Sequence, residues 1–204
     1  MQQGQKSRNL LERLPAAWQS LTKDYEFIKI QGQGSFGQVV KATHKAKNKT
    51  VAIKYIADAF DNIHSVKRVY REIAILRRLS TMEDNIFTVK LLDVIMPEES
   101  SKDEEPQGIF LVMSHVNQDL AQIFNDNKNI SFDMEHAKII LYNLLCAVNF
   151  LHTANVLHRD LKPSNVLLTD QCSVKICDFG LARTVPEEMQ EQENIGQKCM
   201  EDQK

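Results

Sequence analysis

The chain has 204 residues, 43% of them hydrophobic and 25% charged, the balance of an ordinary globular protein rather than a disordered or fibrous one. That length suits one domain, or two lobes sharing a cleft. A formal net charge of −2 gives no long-range attraction to a phosphate backbone, and no apolar run approaches the ~20 residues that a bilayer span needs. Neither nucleic acid nor membrane is expected as a partner.

The N-terminal stretch MQQGQKSRNLLERLPAAWQSLTKDYEF lacks the unbroken apolar core of a secretory signal, and Gln2 breaks the myristoylation pattern. Its Leu10, Leu11, Leu14 and Trp18 can pack as one helical turn onto a domain, and a frayed terminus is the equal alternative. Four cysteines, Cys146, Cys172, Cys177 and Cys199, show no CxxC pair and no metal-ligand spacing with histidine. A reducing compartment is therefore expected, the cytoplasm first and the nucleus second.

From Tyr25 to Tyr55 the texture is strand-like: YEFIKI, QVVKATHKA and TVAIKYI, the last two separated by the polar turn KNK. Residues 65–79 switch to helical period, with Val69, Ile73, Leu76 and Leu79 on one stripe. Two strand-like runs follow, VKLLDVI and GIFLVM, around the acidic loop PEESSKDEEPQ, which is expected to be a solvated insert. A short helix near 119–127 and a long one near 133–154 come next, the latter with Ile140, Leu144, Leu145, Val148 and Leu151 expected inward. HRDLKPSNVLL, a turn at TDQC and SVKICDFGLAR complete the patterned region. After Arg183 the chain is polar, acidic and without period, so disorder is expected there. Strands plus one helix, then helices and a small hairpin, point to an α+β fold with two lobes.

Three segments carry chemistry. Gly32-Gln33-Gly34-Ser35-Phe36-Gly37-Gln38-Val39 is a GxGxxGxV motif. Dinucleotide-binding folds share its glycine spacing, but there the loop opens a helix. Here a strand follows, which makes a flap of exposed backbone N–H groups over phosphates; a plain glycine-rich hairpin is the alternative. Downstream, Lys54 ends the apolar run Val51-Ala52-Ile53, and an inward ammonium there needs an anion. Glu72 shares the inward helical stripe and is the candidate, although alone it would more commonly be a surface acid paired with Arg68.

The third segment is His158-Arg159-Asp160-Leu161-Lys162-Pro163-Ser164-Asn165. Asp160 can accept a hydrogen bond from a substrate hydroxyl and aim it for in-line attack. Lys162 can neutralise charge on a transferring phosphoryl group. Asn165 and Asp178 flank a predicted hairpin, strand 166–169, turn 170–172 and strand 173–177, whose closure brings their oxygens together as hard ligands suited to Mg²⁺.

The set GxGxxGxV, VAIK, HRDLKPSN and DFG resembles the protein-kinase signature in order and identity, from about Tyr25 to Arg183. LKPSN looks like the serine/threonine type. FDNIHSVKRVYREIAILRRL, NQDL and SVKICDFGLAR together resemble the MAP-kinase family.

That resemblance implies a bilobal kinase fold, ATP and Mg²⁺ as cofactors, protein substrates and an upstream activating kinase. It divides the chain into an extension over 1–24, a partial kinase domain over 25–183 that changes lobe near 116, and a tail over 184–204. It also implies a nucleotide site. Gln31 and the glycine loop would cover ATP with Ala52 and Lys54, and Met113 would be the gatekeeper. Ser114 and Val116 would offer hinge backbone to adenine, and Asp119 would sit near the ribose. Asn165 and Asp178 would be the metal ligands. Arg159, Arg68 and Arg71 would form a basic pocket for a phosphorylated loop residue, and Leu76, His158 and Phe179 would stack in a spine. Cys177, beside Asp178, is either a thiol open to the ATP site or, more commonly, an inert small hydrophobe.

The sequence departs from the family after DFGLAR. No Thr-x-Tyr and no APE motif follow, and Thr184 is the last threonine. The expectation is a fragment, with the long helix exposing an apolar face where partners are missing. A phosphotransferase and a non-catalytic module that binds nucleotide or competes for kinase partners both fit that pattern.

Overall fold

The computed structural model describes residues 10–34, 37–97, 108–125 and 133–185. Ser35 and Phe36 of the glycine loop, most of the acidic loop and the tail from 186 lie outside those residues.

The first half folds as a five-stranded antiparallel sheet of order β1-β2-β3-β5-β4. Its strands are β1 (Tyr25–Gly34), β2 (Gly37–His44), β3 (Lys49–Ile56), β4 (Leu91–Ile95) and β5 (Ile109–Ser114). Strand β5 is buried from Ile109 to Met113, as an unbroken apolar run predicts for a strand covered on both faces. One face packs against α1 (Ile63–Thr81). That helix starts where the Asn62 side chain accepts hydrogen bonds from the N–H groups of His64 and Ser65, both at 3.0 Å.

The other face is closed by the 3-10 helix Ala16–Lys23. Trp18 is fully buried there, edge-on to Phe27 and Phe110 with ring centroids 5.4 and 5.0 Å apart. Leu14 and Leu21 are buried beside it. Of the two readings open for this stretch, packing is the one adopted.

The second half contains β6 (Gln118–Asp119), α2 (Leu120–Asn125), α3 (Met134–Thr153), β7 (Val156–Leu157), β8 (Val166–Leu168), β9 (Val174–Ile176) and β10 (Arg183–Thr184). Strands β8 and β9 form the expected hairpin, and β10 pairs with β7.

Helix α3 corrects one expectation. Ile140, Ala147 and Leu151 are buried and Leu144 and Val148 pack against them, but Leu145 is 60% exposed. Five residues after Ile140, Leu145 lies about 140° around the helix and leaves the stripe. With Leu141 and Tyr142 it forms an exposed apolar patch on the side away from the core.

A joint between the halves was not foreseen. After α1 the chain turns through a buried Asn85, whose side chain donates to Leu79 O and Thr88 Oγ1 and accepts from the N–H groups of Phe87 and Thr88. The turn then docks on β9, with Val89 N–H donating to Ile176 O at 3.1 Å and Ile176 N–H to Phe87 O at 2.8 Å. These bonds fix the helix-bearing sheet against the catalytic hairpin.

Trp18→Ala removes the largest side chain of the upper core, and truncations of this type cost about 3–5 kcal/mol. Urea unfolding should show that loss. A midpoint within error of the unsubstituted chain would contradict the packing described for residues 14–21.

Candidate active site

Lys54 leaves β3 toward α1 and is only 6% exposed. Its Nζ lies 2.7 Å from Glu72 Oε1, itself 2% exposed, and 3.0 Å from Asp178 Oδ1. Burial opposes the ammonium charge, but Glu72 and then Asp178 more than offset it, and the lysine pKa is raised above its ordinary value. Glu72 therefore faces the lysine rather than the solvent. Arg68 pairs with Asp58 at 3.0 Å.

The catalytic loop is organised by His158. Its Nε2 lies 2.9 Å from Cys177 O, and its Nδ1 accepts from Asp160 N–H at 3.3 Å. Together these bonds require the ring proton on Nε2. The His158 ring meets Phe179 edge-on at 5.1 Å, and buried Leu76 belongs to the same core cluster. Arg159 and Asp178 both hold left-handed backbone angles, φ 68° and 64°. Such angles are uncommon for non-glycine residues and persist only where the surroundings enforce them.

Asp160 is fixed from two sides. Lys162 Nζ donates to its Oδ2 at 2.9 Å, and Asn165 Nδ2 donates to its backbone O at 2.8 Å and to Oδ2 at 3.1 Å. The bond from Lys162, then the bond from Asn165, holds the Asp160 carboxyl below the usual carboxylate range despite some loss of hydration. With Nδ2 engaged, the amide oxygen of Asn165 is the end left for a ligand.

A cavity of about 390 Å³ joins these groups, within the range of small-molecule sites. Lys54, Glu72, Lys162, Asn165 and Asp178 line it from below and behind. Gln31, Gly32, Gly37 and Val39 line it from the flap, with Ala52 and Met113 paired across β3 and β5. Ser114, Val116 and Asp119 complete the wall, and Asp119 also caps α2 by accepting from Gln122 N–H at 2.7 Å. Asp160 is not in the wall but is held by two residues that are.

Gln38 is likewise outside the wall, beside Tyr55 in register, and Gln33 and Gly34 continue the β1–β2 ladder. A side chain at Gly37, φ 124°, would strike Tyr55 O at 2.2 Å, so that glycine is demanded by the protein itself. At Gly32 a Cβ would meet nothing within 4 Å, which leaves close approach of a ligand as its physical use.

Among the described residues no cluster of three or more histidine, cysteine or acidic side chains could hold a metal alone. Asn165 and Asp178 supply two hard oxygens. That set suits Mg²⁺, which commonly completes its shell with substrate phosphates and water.

Cys177 lines the cavity, but burial and then the Asp178 charge push its thiol up to about 12, so the inert reading holds. Slight desolvation and then the charges of Arg71 and Arg159, two of the arginines expected in the basic pocket, push Arg183 below its ordinary pKa. Sequence reading missed Arg183, whose strand partner Leu157 places it beside the catalytic loop. The only signal was its position at the end of DFGLAR.

Lys54→Met leaves the buried Glu72 carboxylate beside the partly buried Asp178 with no cation between them, and breaking a buried pair from one side costs about 3–5 kcal/mol. Thermal unfolding should show a clear loss for Lys54→Met and a smaller one for Glu72→Gln, which keeps an acceptor for the ammonium. Unchanged stability in both variants would place this cluster in solvent.

The protein kinase domain family model matches residues 25–199. Among curated proteins, the chain is 43% identical to mitogen-activated protein kinase 13 of Arabidopsis thaliana over 154 residues, 75% of this chain and 40% of that protein. It is 42% identical to the mitogen-activated protein kinase homolog NTF6 of Nicotiana tabacum over 156 residues, 76% and 40% respectively. Extracellular signal-regulated kinase 2 of Dictyostelium discoideum is 40% identical over 163 residues, 80% and 41%. The chain thus spans about two fifths of the length of the curated relatives it matches. With its glycine flap, buried lysine–glutamate pair and the hairpin after His158 on one cleft, this chain belongs to the protein kinase domain family and is similar in sequence to mitogen-activated protein kinases.

Proposed function

We propose that the protein transfers the γ-phosphate of ATP to serine or threonine hydroxyls of protein substrates in a MAP-kinase-like signalling pathway, itself under an upstream activating kinase. The observation that carries this reading is the convergence of Lys54, Asn165 and Asp178, with Asp160 held alongside, on one cavity beneath the Gly32–Gly37 flap.

The flap's backbone N–H groups and Lys54 hold the phosphate chain, and Glu72 keeps Lys54 aimed. Asn165 and Asp178 would hold Mg²⁺, which supplies charge neutralisation on the phosphates when bound. Asp160, ionised and fixed by Lys162 and Asn165, accepts the hydrogen bond of the incoming hydroxyl and orients it. Lys162 is then placed to offset charge spreading over the transferred group. Arg159, Arg68 and Arg71, with Arg183 close enough to feel the charges of Arg71 and Arg159, would form a basic pocket suited to a phosphorylated residue. Cytoplasmic and nuclear localisation belongs to the same proposal, supported by the free cysteines Cys146, Cys172 and Cys177.

Radiolabelled ATP with Mg²⁺ and a generic protein substrate tests the reading. Asp160→Asn should reduce transfer by about 10²-fold or more, the contribution of a positioned acid–base group. Equal signal from both proteins would reject catalysis in favour of the nucleotide-binding module.

Since the Asp160 carboxyl is held below its usual range, its ionised form is present above that range and is lost only as pH falls through the lowered value. The transfer rate between about pH 6 and 8 should therefore show no limb that Asp160→Asn abolishes.

A further inference from the structure

The side chain of Gln31 crosses the cleft. Its Nε2 donates to Val116 O at 3.0 Å and to Asn117 O at 3.4 Å, joining the strand that carries the glycine turn to a segment 85 residues on. The backbone explains how it reaches there. Ile30 pairs with Val40 and Gly32 with Val39, so Gln31 is the extra residue of a bulge in β1. Bulges re-aim a side chain, here from the strand face toward the hinge. Two carbonyl oxygens can be faced only by the NH₂ end, which fixes the amide orientation. The other end, Oε1, is enclosed and has no hydrogen-bond partner among the described residues.

We propose that Gln31 is a positioning residue that latches the flap to the hinge through its side-chain amide, so that nucleotide is admitted and released only when this bond opens. The latch itself stands on the geometry above; the gating of nucleotide rests on the ATP-binding reading. Val116 and Gln31 both line the cavity, so the bond spans the wall through which a base must pass.

Two variants separate the latch from an ordinary contact. Gln31→Leu keeps bulk and removes the amide. Gln31→Glu keeps length but cannot donate to Val116 O at neutral pH. In the nucleotide-free chain, hydrogen exchange should quicken in both variants over residues 26–32 and 114–118, by about fivefold, the factor one net hydrogen bond represents. Stopped-flow measurements with a fluorescent N-methylanthraniloyl-ADP should show association and dissociation quickened together, by about the same factor, with Kd little changed.

Unchanged exchange in the empty chain overturns the latch, whatever the nucleotide does. Faster exchange with only dissociation accelerated, and Kd weakened in proportion, overturns the gate and makes Gln31 a simple wall contact. Faster exchange in a chain to which the fluorescent nucleotide does not bind overturns the ATP reading and the gate together, while the latch stands.

Discussion

A single buried ammonium organises this molecule. Lys54 sits at the end of a sheet strand with almost no access to water, and a cation there is tolerable only when anions compensate the lost hydration. One anion, Glu72, comes from helix α1, and the other, Asp178, follows strand β9 in the second half of the chain. The charge balance therefore demands that a strand, a helix and a distant turn meet at one point. Moving the helix outward or the turn aside strands a charge, so the arrangement of the two halves and the shape of the cavity are one problem.

The surrounding fold keeps those three groups in register. The Asn85 turn satisfies its own backbone internally and then hydrogen-bonds to both sides of Ile176, two residues before Asp178. That joint runs from the C-terminal end of α1 directly to the strand that carries the second anion. Backbone strain is concentrated nearby, at Arg159 and Asp178, in conformations that aim the loop around His158. The histidine ring, bonded to Cys177 O and to Asp160 N–H, ties the two strained positions together.

Charge is sorted as well as balanced. The cavity wall carries Glu72, Asp119 and Asp178 against Lys54 and Lys162, a mixed field suited to a metal-bound polyphosphate rather than a bare anion. Outside the cavity, Arg71, Arg159 and Arg183 raise the local positive potential beside the same loop. The cleft and its flank thus offer two differently charged surfaces close to Asp160.

The sequence by itself determined the parts whose signals are local. Glycine spacing followed by a strand, a lysine closing an apolar run, and acceptor, amide and DFG residues flanking a short hairpin are set by neighbours along the chain. The positions of Gly37, Lys54, Asp160, Asn165 and Asp178 were legible for that reason. Helical period also put Glu72 on the inward stripe. What only the tertiary structure decided were matters of which surfaces meet. Whether Trp18 frays or closes a core depends on an uncovered sheet face. Leu145 turns outward because one apolar stripe of α3 has the core to pack on. Arg183 comes to feel the charges of Arg71 and Arg159 because β10 pairs with β7. The Gln31 amide reaches the hinge because a bulge, invisible in composition, rotates one side chain of β1. Local chemistry sets what each residue can do, whereas long-range pairing sets what it faces, and periodicity encodes only the first.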